Sequence, residues 1–245
     1  VKMASIVNGA WTPPQGYSQA LSKGLANVHF RVAKANMSET MGEDEAVQWL
    51  RSAAQRGNAD AQYNLGRCHD EGRGVERNAA EAVQWYNCAA KQAHPQAICT
   101  LGYCYAKGDG VRKDETTAFE LFKRASQMLL PDAQYNLAVC YAKGRGTGRD
   151  PLRALEMYTK AADAGHIPAT CNLAMAYENG EGVKGDKKKA LALFEEAWEK
   201  GKSELAQYRL ARCYYLGIGT PKDAAKAAAV MGKTVWEIGR QFEPA

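Results

Sequence analysis

The sequence predicts an all-α protein, an α-solenoid of about six helical hairpins with a period of 36 residues. Three observations predict this class: a motif that recurs in register, a helical spacing of apolar residues within each copy, and a pair of glycines after it. The composition agrees, since the 245-residue chain is 46% hydrophobic with 23 Gly and only five Phe. Such a composition favours helices that pack through small residues.

The repeated motif begins at five alanines. The copies are AQYNLGRCHDEGRGV from Ala61, AICTLGYCYAKGDGV from Ala97, AQYNLAVCYAKGRGT from Ala133, ATCNLAMAYENGEGV from Ala169 and AQYRLARCYYLGIGT from Ala206. The first four starts are 36 residues apart, and the fifth comes one residue late. A two-helix unit of this size cannot bury its apolar face alone, so the copies are predicted to stack on one another.

Each copy opens with a predicted first helix. Counting the starting alanine as position 0, apolar or small residues fall at positions 0, 4, 5 and 8, which is a helical spacing. Position 5 is always Gly or Ala, so a neighbouring helix can come close there. A Gly-x-Gly turn follows, and glycine tolerates the positive φ that ends a helix.

A second helix completes each hairpin. Its predicted N-caps, at position 17, are Asn78, Asp114, Asp150, Asp186 and Asp223. Apolar residues then recur at positions 21, 24, 25 and 28, again with helical spacing. The last segment, AAKAAAVMGKTVWEIGRQF, is predicted to form a capping helix that runs to about Phe242.

These patterns predict the organisation of the whole chain. Residues 1–20 form an extended N-terminal arm, because Pro13 and Pro14 and the nearby glycines forbid a continuous helix, and we expect it to lie against the solenoid or a partner. Residues 21–60 form a degenerate N-terminal hairpin. The five repeats are predicted at 61–96, 97–132, 133–168, 169–205 and 206–242, the last with the capping helix.

The run AQYNLGRCHDEGRGV followed by AEAVQWYNCAA resembles the Sel1-like repeat, a relative of the tetratricopeptide repeat with a longer Gly-x-Gly-Val turn. The resemblance covers about residues 41–235, with Thr147 and Thr220 in place of the turn Val. It implies a right-handed superhelix and a role as an adaptor or scaffold in macromolecular complexes. Some secreted relatives clamp each hairpin with a disulfide, but the matching positions here are Ala90 and Ile98, so no such pairing is implied.

The positions of the cysteines indicate that they pack between helices and form neither disulfides nor a zinc site. Cys68, Cys104, Cys140 and Cys213 share position 7 of their copies. Equivalent positions on stacked helices lie about 8–10 Å apart, too far for a disulfide or a shared zinc ion. The odd total of seven favours a reducing, intracellular compartment, the cytoplasm or alternatively a mitochondrion. We expect no metal, no cofactor and, without a run of about 18 apolar residues, no membrane span.

A partner-binding surface is predicted on the first helices, which line the concave face in solenoids of helical hairpins. Positions 2, 3, 6, 9 and 10 are not needed for packing there. Positions 2, 3 and 6 carry Tyr, Asn and Arg, types suited to gripping a peptide or enriched at interface hot spots. The candidate residues are Tyr63, Asn64, Arg67, Tyr103, Tyr135, Asn136, Asn172, Tyr208, Arg209 and Arg212. The alternative is that Tyr and Asn simply belong to the repeat consensus.

The turns carry a second, basic surface. Stacking would align them as a ridge along one edge, and such a ridge could contact phosphate. Its residues are Arg73, Arg77, Arg112, Lys113, Arg145, Arg149, Lys184 and Lys187. Acidic Glu71, Glu76, Asp109, Glu115 and Glu181 interleave with them, so a solvated edge is the other interpretation.

The sequence therefore predicts a non-catalytic scaffold or adaptor, a subunit of a larger complex that binds one or several proteins through the first helices. One alternative is a subunit associated with RNA or a ribonucleoprotein through the basic ridge. A second is a hydrolase-like enzyme, which no motif supports: the glycine turns lack the strand and the Gly-Lys-Ser/Thr ending of a phosphate loop, and no nucleophile elbow is present.

Overall fold

The computed structural model describes residues 5–7, 10–12, 22, 24–30 and 43–242. The chain divides into two compact units, an N-terminal unit, Val1–Asp114, and a C-terminal unit, Glu115–Ala245. The boundary falls inside the predicted repeat 97–132, between its two helices.

The N-terminal unit opens with a small β-hairpin. Strands β1 (Ser5–Val7) and β2 (Ala10–Thr12) pair antiparallel, with Ile6 opposite Trp11. These two strands lie within the predicted extended arm, residues 1–20, and their pairing was not predicted from the sequence. Alternating β-formers flank an Asn-Gly dipeptide, which two-residue hairpin turns favour. The rest of the arm and its predicted docking lie outside the described residues.

The helices of the N-terminal unit follow in sequence and pack consecutively from α2 onward. They are α1 (24–30), α2 (Glu43–Gln55), α3 (Ala59–Glu71), α4 (Ala79–Lys91) and α5 (Pro95–Lys107). In α1, His29 contacts α2 through a 2.9 Å hydrogen bond between Nδ1 and Ser52 Oγ and through an edge-on contact with Trp49. Helices α1 and α2 both lie within residues 21–60, where the sequence predicts a degenerate hairpin, and residues 31–42 are outside the described ranges.

The C-terminal unit contains the remaining helices, again packed consecutively. They are α6 (Glu115–Ser126), α7 (Pro131–Lys143), α8 (Pro151–Asp163), α9 (Ile167–Asn179), α10 (Lys187–Gly201), α11 (Glu204–Leu216), α12 (Ala224–Met231) and α13 (Val235–Phe242). The first helices of the repeats are α3 and α5 in the N-terminal unit, and α7, α9 and α11 here.

Small residues form the centre of each hairpin. The five starting alanines, from Ala61 to Ala206, are completely buried. At position 5, a Cβ on Gly66 would lie 2.7 Å from the Tyr86 ring, so α3 and α4 require a small residue there. On the second helices of the first four repeats, positions 21, 25 and 28 are buried, whereas position 24, for example Trp85, is only half-buried. The apolar face of the second helix is therefore narrower than predicted.

The predicted N-caps are present on the second helices. The side chains of Asn78, Asp150, Asp186 and Asp223 each accept a hydrogen bond from the backbone N–H three residues on. Asp114 occupies the equivalent place before α6. The caps are local features of the sequence, and this is why they are predictable.

The Gly-x-Gly turns have two separate roles. The first glycine, as in Gly144 with φ 69°, is the left-handed C-cap of the first helix. The second, Gly146, also has positive φ, but it lies so close to the previous second helix that a Cβ would collide with the Glu115 carbonyl. The second glycine therefore sets the spacing between neighbouring repeats.

The C-terminal cap differs from the prediction of one continuous helix. Helix α12 ends at Gly232, which is left-handed with φ 62°. Thr234 and Glu237 then form a capping box that starts α13: the Thr234 N–H donates to Glu237 Oε2 at 2.8 Å, and the Glu237 N–H donates to Thr234 Oγ1 at 3.3 Å. Two short helices result, and Ile238 of α13 is fully buried.

Candidate partner-binding groove

A groove in the C-terminal unit lies between the first helices α7 and α9, with α8 as its floor. It has a volume of about 390 Å³, which is within the range of ligand-sized clefts. Its lining from the first helices is Tyr135, Val139, Ala142, Lys143, Asn172, Met175, Ala176 and Asn179. These are mostly positions 2, 3, 6, 9 and 10 of two consecutive repeats, the positions that sequence analysis assigns to binding.

Tyr135 is held in place at one wall of the groove. Its ring lies 4.7 Å from the His166 ring and 6.1 Å from Tyr158, measured between ring centres. Burial raises the pKa of Tyr158 to about 12, opposed in part by a hydrogen bond with Asn172. The candidate residues Tyr135 and Asn172 therefore have fixed orientations before any partner arrives, which lowers the entropy cost of binding.

His166 organises this wall. Its Nδ1 accepts a hydrogen bond from the Ala169 N–H at 3.1 Å and so caps α9, while Nε2 lies 3.2 Å from Asp132 Oδ1. A ring nitrogen that accepts cannot carry the proton, so the neutral imidazole has its proton on Nε2, which donates to the carboxylate. Because both nitrogens are engaged, this ring is not available as a general base.

The N-terminal unit repeats the arrangement. His94 Nδ1 accepts from the Ala97 N–H at 3.1 Å, Nε2 lies 3.1 Å from Asp60 Oδ1, and the ring stacks on Tyr63 at 4.9 Å. A second groove of about 440 Å³ surrounds this cluster and includes Asn64 in its lining. Each unit thus has a groove with a tyrosine that contacts a histidine paired with an aspartate; in the N-terminal unit Asp60 and His94 line the groove themselves, whereas in the C-terminal unit only Tyr135 does.

Sequence reasoning missed this contact. No role is assigned to His94 or His166 from the sequence. The signal was available, since Asp60 and His94 are 34 residues apart and Asp132 and His166 have the same spacing.

The side chains of Asn64 and Asn136 each form a hydrogen bond with the backbone of their own helix. Each Nδ2 donates to the backbone carbonyl four residues earlier, at 2.7 Å from Asp60 and 2.8 Å from Asp132. Both side chains are half-buried.

Two candidate residues of position 6 lie exposed in the N-terminal unit. Arg67 donates to Glu71 Oε1 at 2.6 Å, and this hydrogen bond raises the pKa of the guanidinium. Tyr103 is 47% exposed, with Lys107 Nζ 4.7 Å from its ring centre.

The remaining candidate residues cluster on α11. Tyr208 is 38% exposed and packs against Phe242 of α13. Arg212 Nη1 lies 2.7 Å from Glu178 Oε1, and Arg209 Nη1 lies 4.0 Å from Glu178 Oε2. Glu178 belongs to α9, so these arginines connect two first helices. Glu178 is at position 9 of its own copy, whereas the arginines are at positions 3 and 6 of the next copy. The sequence of one copy does not show which residues of the next copy it contacts.

The predicted basic ridge is exposed but partly neutralised. Arg77 lies 3.4 Å from Asp109 and Arg149 lies 3.7 Å from Glu181, each pair linking the turns of consecutive repeats within one unit. Arg73 pairs with Glu71 at 2.8 Å. Arg112, Lys113, Arg145, Lys184 and Lys187 are exposed as well. Surface ion pairs of this kind contribute little to stability, but they reduce the positive charge that the ridge offers to phosphate.

None of the seven cysteines forms a disulfide, and five of them, including Cys68, Cys140 and Cys213, are buried. Cys104, which is predicted to pack with these three, is only half-buried, as is Cys88. Burial raises the pKa of Cys140 and of Cys213 to about 11. Within the described part of the chain, no group of three or more His, Cys, Asp or Glu side chains is arranged to hold a metal ion. No helix among the described residues is long and apolar enough to cross a membrane.

A profile described as Sel1 repeat matches six segments: residues 43–58, 59–94, 95–128, 131–166, 167–202 and 205–229. The chain belongs to the Sel1 repeat family. This confirms both the resemblance and the all-α solenoid class predicted from the sequence. Sel1 repeats mediate protein binding, and the repeat is a non-catalytic unit that generally serves as a scaffold for protein–protein interactions.

Solved structures extend the comparison. The chain is similar to a Sel1 repeat protein from Oxalobacter formigenes, with 30% identity, coverage of 90% of this chain and 86% of that chain, and a TM-score of 0.72. It is also similar to a protective antigen of uropathogenic Escherichia coli that displays this fold, with 28% identity and a TM-score of 0.81. That match covers 94% of this chain and 51% of the other, so the chain spans about half the length of the Escherichia coli protein.

An immunity protein from Pseudomonas aeruginosa shares the fold at 21% identity and a TM-score of 0.51, over 89% of this chain and 79% of that chain. No curated protein sequence matches the chain significantly.

Proposed function

We propose that this Sel1 repeat protein is a non-catalytic adaptor that holds a segment of a partner protein in the groove between α7 and α9. The observation that carries the proposal is the lining of that groove. Tyr135, Asn172 and Met175 lie in it half-buried, with their orientations set by neighbours and with faces left for a ligand. A mixed apolar and polar lining suits a peptide with both side-chain and backbone contacts.

The presence of a groove in each unit supports a role in a larger assembly. The N-terminal unit offers its own groove beside Tyr63 and Asn64, so the chain can engage two segments, from one partner or from two. Free, buried thiols agree with a reducing compartment, where we place the protein.

The two alternatives have less support. Arginines of the basic ridge that would contact RNA form ion pairs with carboxylates, as Arg77 does with Asp109, and this reduces the positive charge available to phosphate. A hydrolase needs an activated nucleophile or an accessible base. His94 and His166 have both ring nitrogens engaged, His69 is buried, and burial raises the pKa of the Cys140 thiol.

The test is selection of binding peptides from a random displayed library, followed by fluorescence anisotropy with purified variants. We expect the selected peptides to bind the wild type and to lose about tenfold or more in affinity with Tyr135→Ala/Met175→Ala, since aromatic and Met contacts dominate such interfaces. The matched control, Arg153→Gln/Lys160→Gln, changes the exposed outer side of α8 and should bind as the wild type does. Equal loss in both double variants would reject the groove as the binding site.

A further inference from the structure

The last first helix, α11, presents an ionic cluster that the earlier repeats lack. Arg209 and Arg212 flank Glu178 of α9, so that two positive charges face one negative charge. The same two positions, 3 and 6, carry Asn172 and Met175 in the preceding copy. Since the other repeats stack without this cluster, stacking alone does not require it.

The cluster has hydrogen-bonding capacity to spare. The Glu178 side chain is only 10% exposed and its Oε1 is bonded to Arg212, but its Oε2 and the Nε of Arg209 are buried without hydrogen-bond partners. A guanidinium has five N–H donors, and both arginine side chains remain about one third exposed. The Arg209 Nε is itself buried, so an added carboxylate would meet the exposed parts of the two guanidinium groups and one net positive charge.

The surroundings extend this positive charge. Glu178 also borders an open cavity that lies at the turn before α10 and at the first residues of that helix. The cavity is lined by Lys184, Lys187, Lys188 and Lys189. On the other side, Tyr208 is exposed beside Phe242 and offers an aromatic contact. The region thus combines a paired-arginine anchor, a lysine-rich turn and an aromatic edge.

We propose that this surface binds an acidic segment of a protein partner, with one carboxylate held by Arg209 and Arg212 and further acidic residues over the lysine-rich turn. The inference deepens the proposed adaptor function and rests on it. A peptide is favoured over RNA because Glu178, Glu181 and Asp186 interrupt the positive surface. Separate carboxylates can avoid these interruptions, whereas a phosphate backbone carries a charge at every nucleotide.

The experiment measures binding of a fluorescein-labelled octapeptide that contains four Glu, beside the same peptide with Gln at those positions. Glu178→Gln removes the carboxylate that competes for the arginines, so we expect the acidic peptide to bind about threefold or more tightly. A cluster with only a structural role predicts unchanged or weaker binding for this variant, and that result would overturn the proposal.

Replacing the two arginines alone would leave the buried Glu178 carboxylate without its partners and destabilise the fold, so the second comparison is made in the Glu178→Gln background. The triple variant Glu178→Gln/Arg209→Gln/Arg212→Gln should bind the acidic peptide about tenfold or more weakly than Glu178→Gln alone. Arg153→Gln/Lys160→Gln, which removes two positive charges on α8, should change the affinity less than about twofold. Equal affinity for the Glu and Gln peptides, or tighter binding of a ten-nucleotide single-stranded RNA, would reject an acidic protein segment as the ligand.

The library-selected peptides separate the two proposals. If they depend on Tyr135 and Met175 but carry no acidic residues and ignore the triple variant, the groove stands and the acidic anchor fails. If no peptide of any composition binds, the adaptor proposal fails as well.

Discussion

The Nε2 of His166 lies 3.2 Å from Oδ1 of Asp132, and this contact joins the N-terminus of α9 to that of α7. The same ring caps α9 through its Nδ1. His94 and Asp60 make the equivalent contact between α5 and α3. One imidazole therefore caps α9, links two neighbouring repeats and contacts the tyrosine of the groove, and the cap needs the neutral ring.

Stability should accordingly decrease in mild acid. Burial lowers the pKa of His166 below its ordinary value of 6.5, outweighing the opposing effect of Asp132. The unfolded chain then binds the proton more readily, so the contribution of His166 is complete above pH 6.5 and is lost as pH falls through that value to the lower pKa of the folded state. Protonation of Nδ1 would also remove the acceptor that caps α9.

The test is His166→Asn, compared with the wild type by urea unfolding between pH 7.5 and pH 5. Asn58 caps α3 at the equivalent position, so asparagine can keep the cap without titrating. We expect the free energy of unfolding to fall less with acid in the variant. Identical pH dependence of the two proteins would show that His166 does not titrate on unfolding.

Position 8 of the first repeat should accept tyrosine with a gain in stability. His69 is 5% exposed and neither ring nitrogen has a hydrogen bond; Glu81 Oε1 is 3.3 Å away but not aligned for one. The other four copies have Tyr there, and Tyr177 accepts a 2.7 Å hydrogen bond from Lys189. His69 borders a cavity of about 390 Å³ that Arg51 and Glu81 also line. His69→Tyr should fill part of this cavity and donate a hydrogen bond to Glu81, raising the free energy of unfolding by about 1–2 kcal/mol.

Urea unfolding measures this gain in the free energy of unfolding. Tyr177→His makes the reverse substitution at position 8 of the repeat that starts at Ala169. That variant should lose stability by a similar amount. A destabilised His69→Tyr would mean that the polar cavity beside Arg51 serves something other than packing.

Gly146 should tolerate no side chain. Alanine there would adopt a positive φ and bring its Cβ into the Glu115 carbonyl and to 3.0 Å from Phe119 Cβ. We expect Gly146→Ala to lower the free energy of unfolding by about 2 kcal/mol or more. Gly148→Ala is the control, since nothing lies within 4 Å of its Cβ, and it should change stability by less than about 0.5 kcal/mol. Similar effects of both substitutions would refute a role of Gly146 in repeat spacing.

The buried thiols should resist alkylation in the folded protein. Cys140 and Cys213 have a pKa of about 11 because of burial, while Cys88 is only half-buried. With N-ethylmaleimide at pH 7.5 and detection by peptide mass spectrometry, Cys88 should react about tenfold or more faster than either. In urea the three rates should converge. Equal rates without urea would contradict their packing role.

The repeat architecture was predictable because its determinants are local and occur five times. The buried alanines, the C-cap glycines and caps such as Asp150 lie within one copy, and each copy confirms the others. The β-hairpin and the break at Gly232 also had local signals, the Asn-Gly dipeptide and the Thr-x-x-Glu capping box, which the repeat pattern does not cover.

The details of the groove could not be predicted in the same way. They arise where side chains of different copies meet, as His166 meets Asp132 or Arg212 meets Glu178. Aligning copies shows what each position has in common, whereas these contacts depend on the pairing of two particular copies. For the same reason, Arg209 and Arg212 were predicted as binding residues without the carboxylate that they share.

The most direct test of the central claim, that the first helices hold a partner segment, is NMR chemical-shift mapping of the isotope-labelled protein with a library-selected peptide. We predict that the largest shifts occur at Tyr135, Val139, Asn172 and Met175, on the facing sides of α7 and α9. Shifts confined to the outer, exposed residues of α8 and α10 would contradict the account.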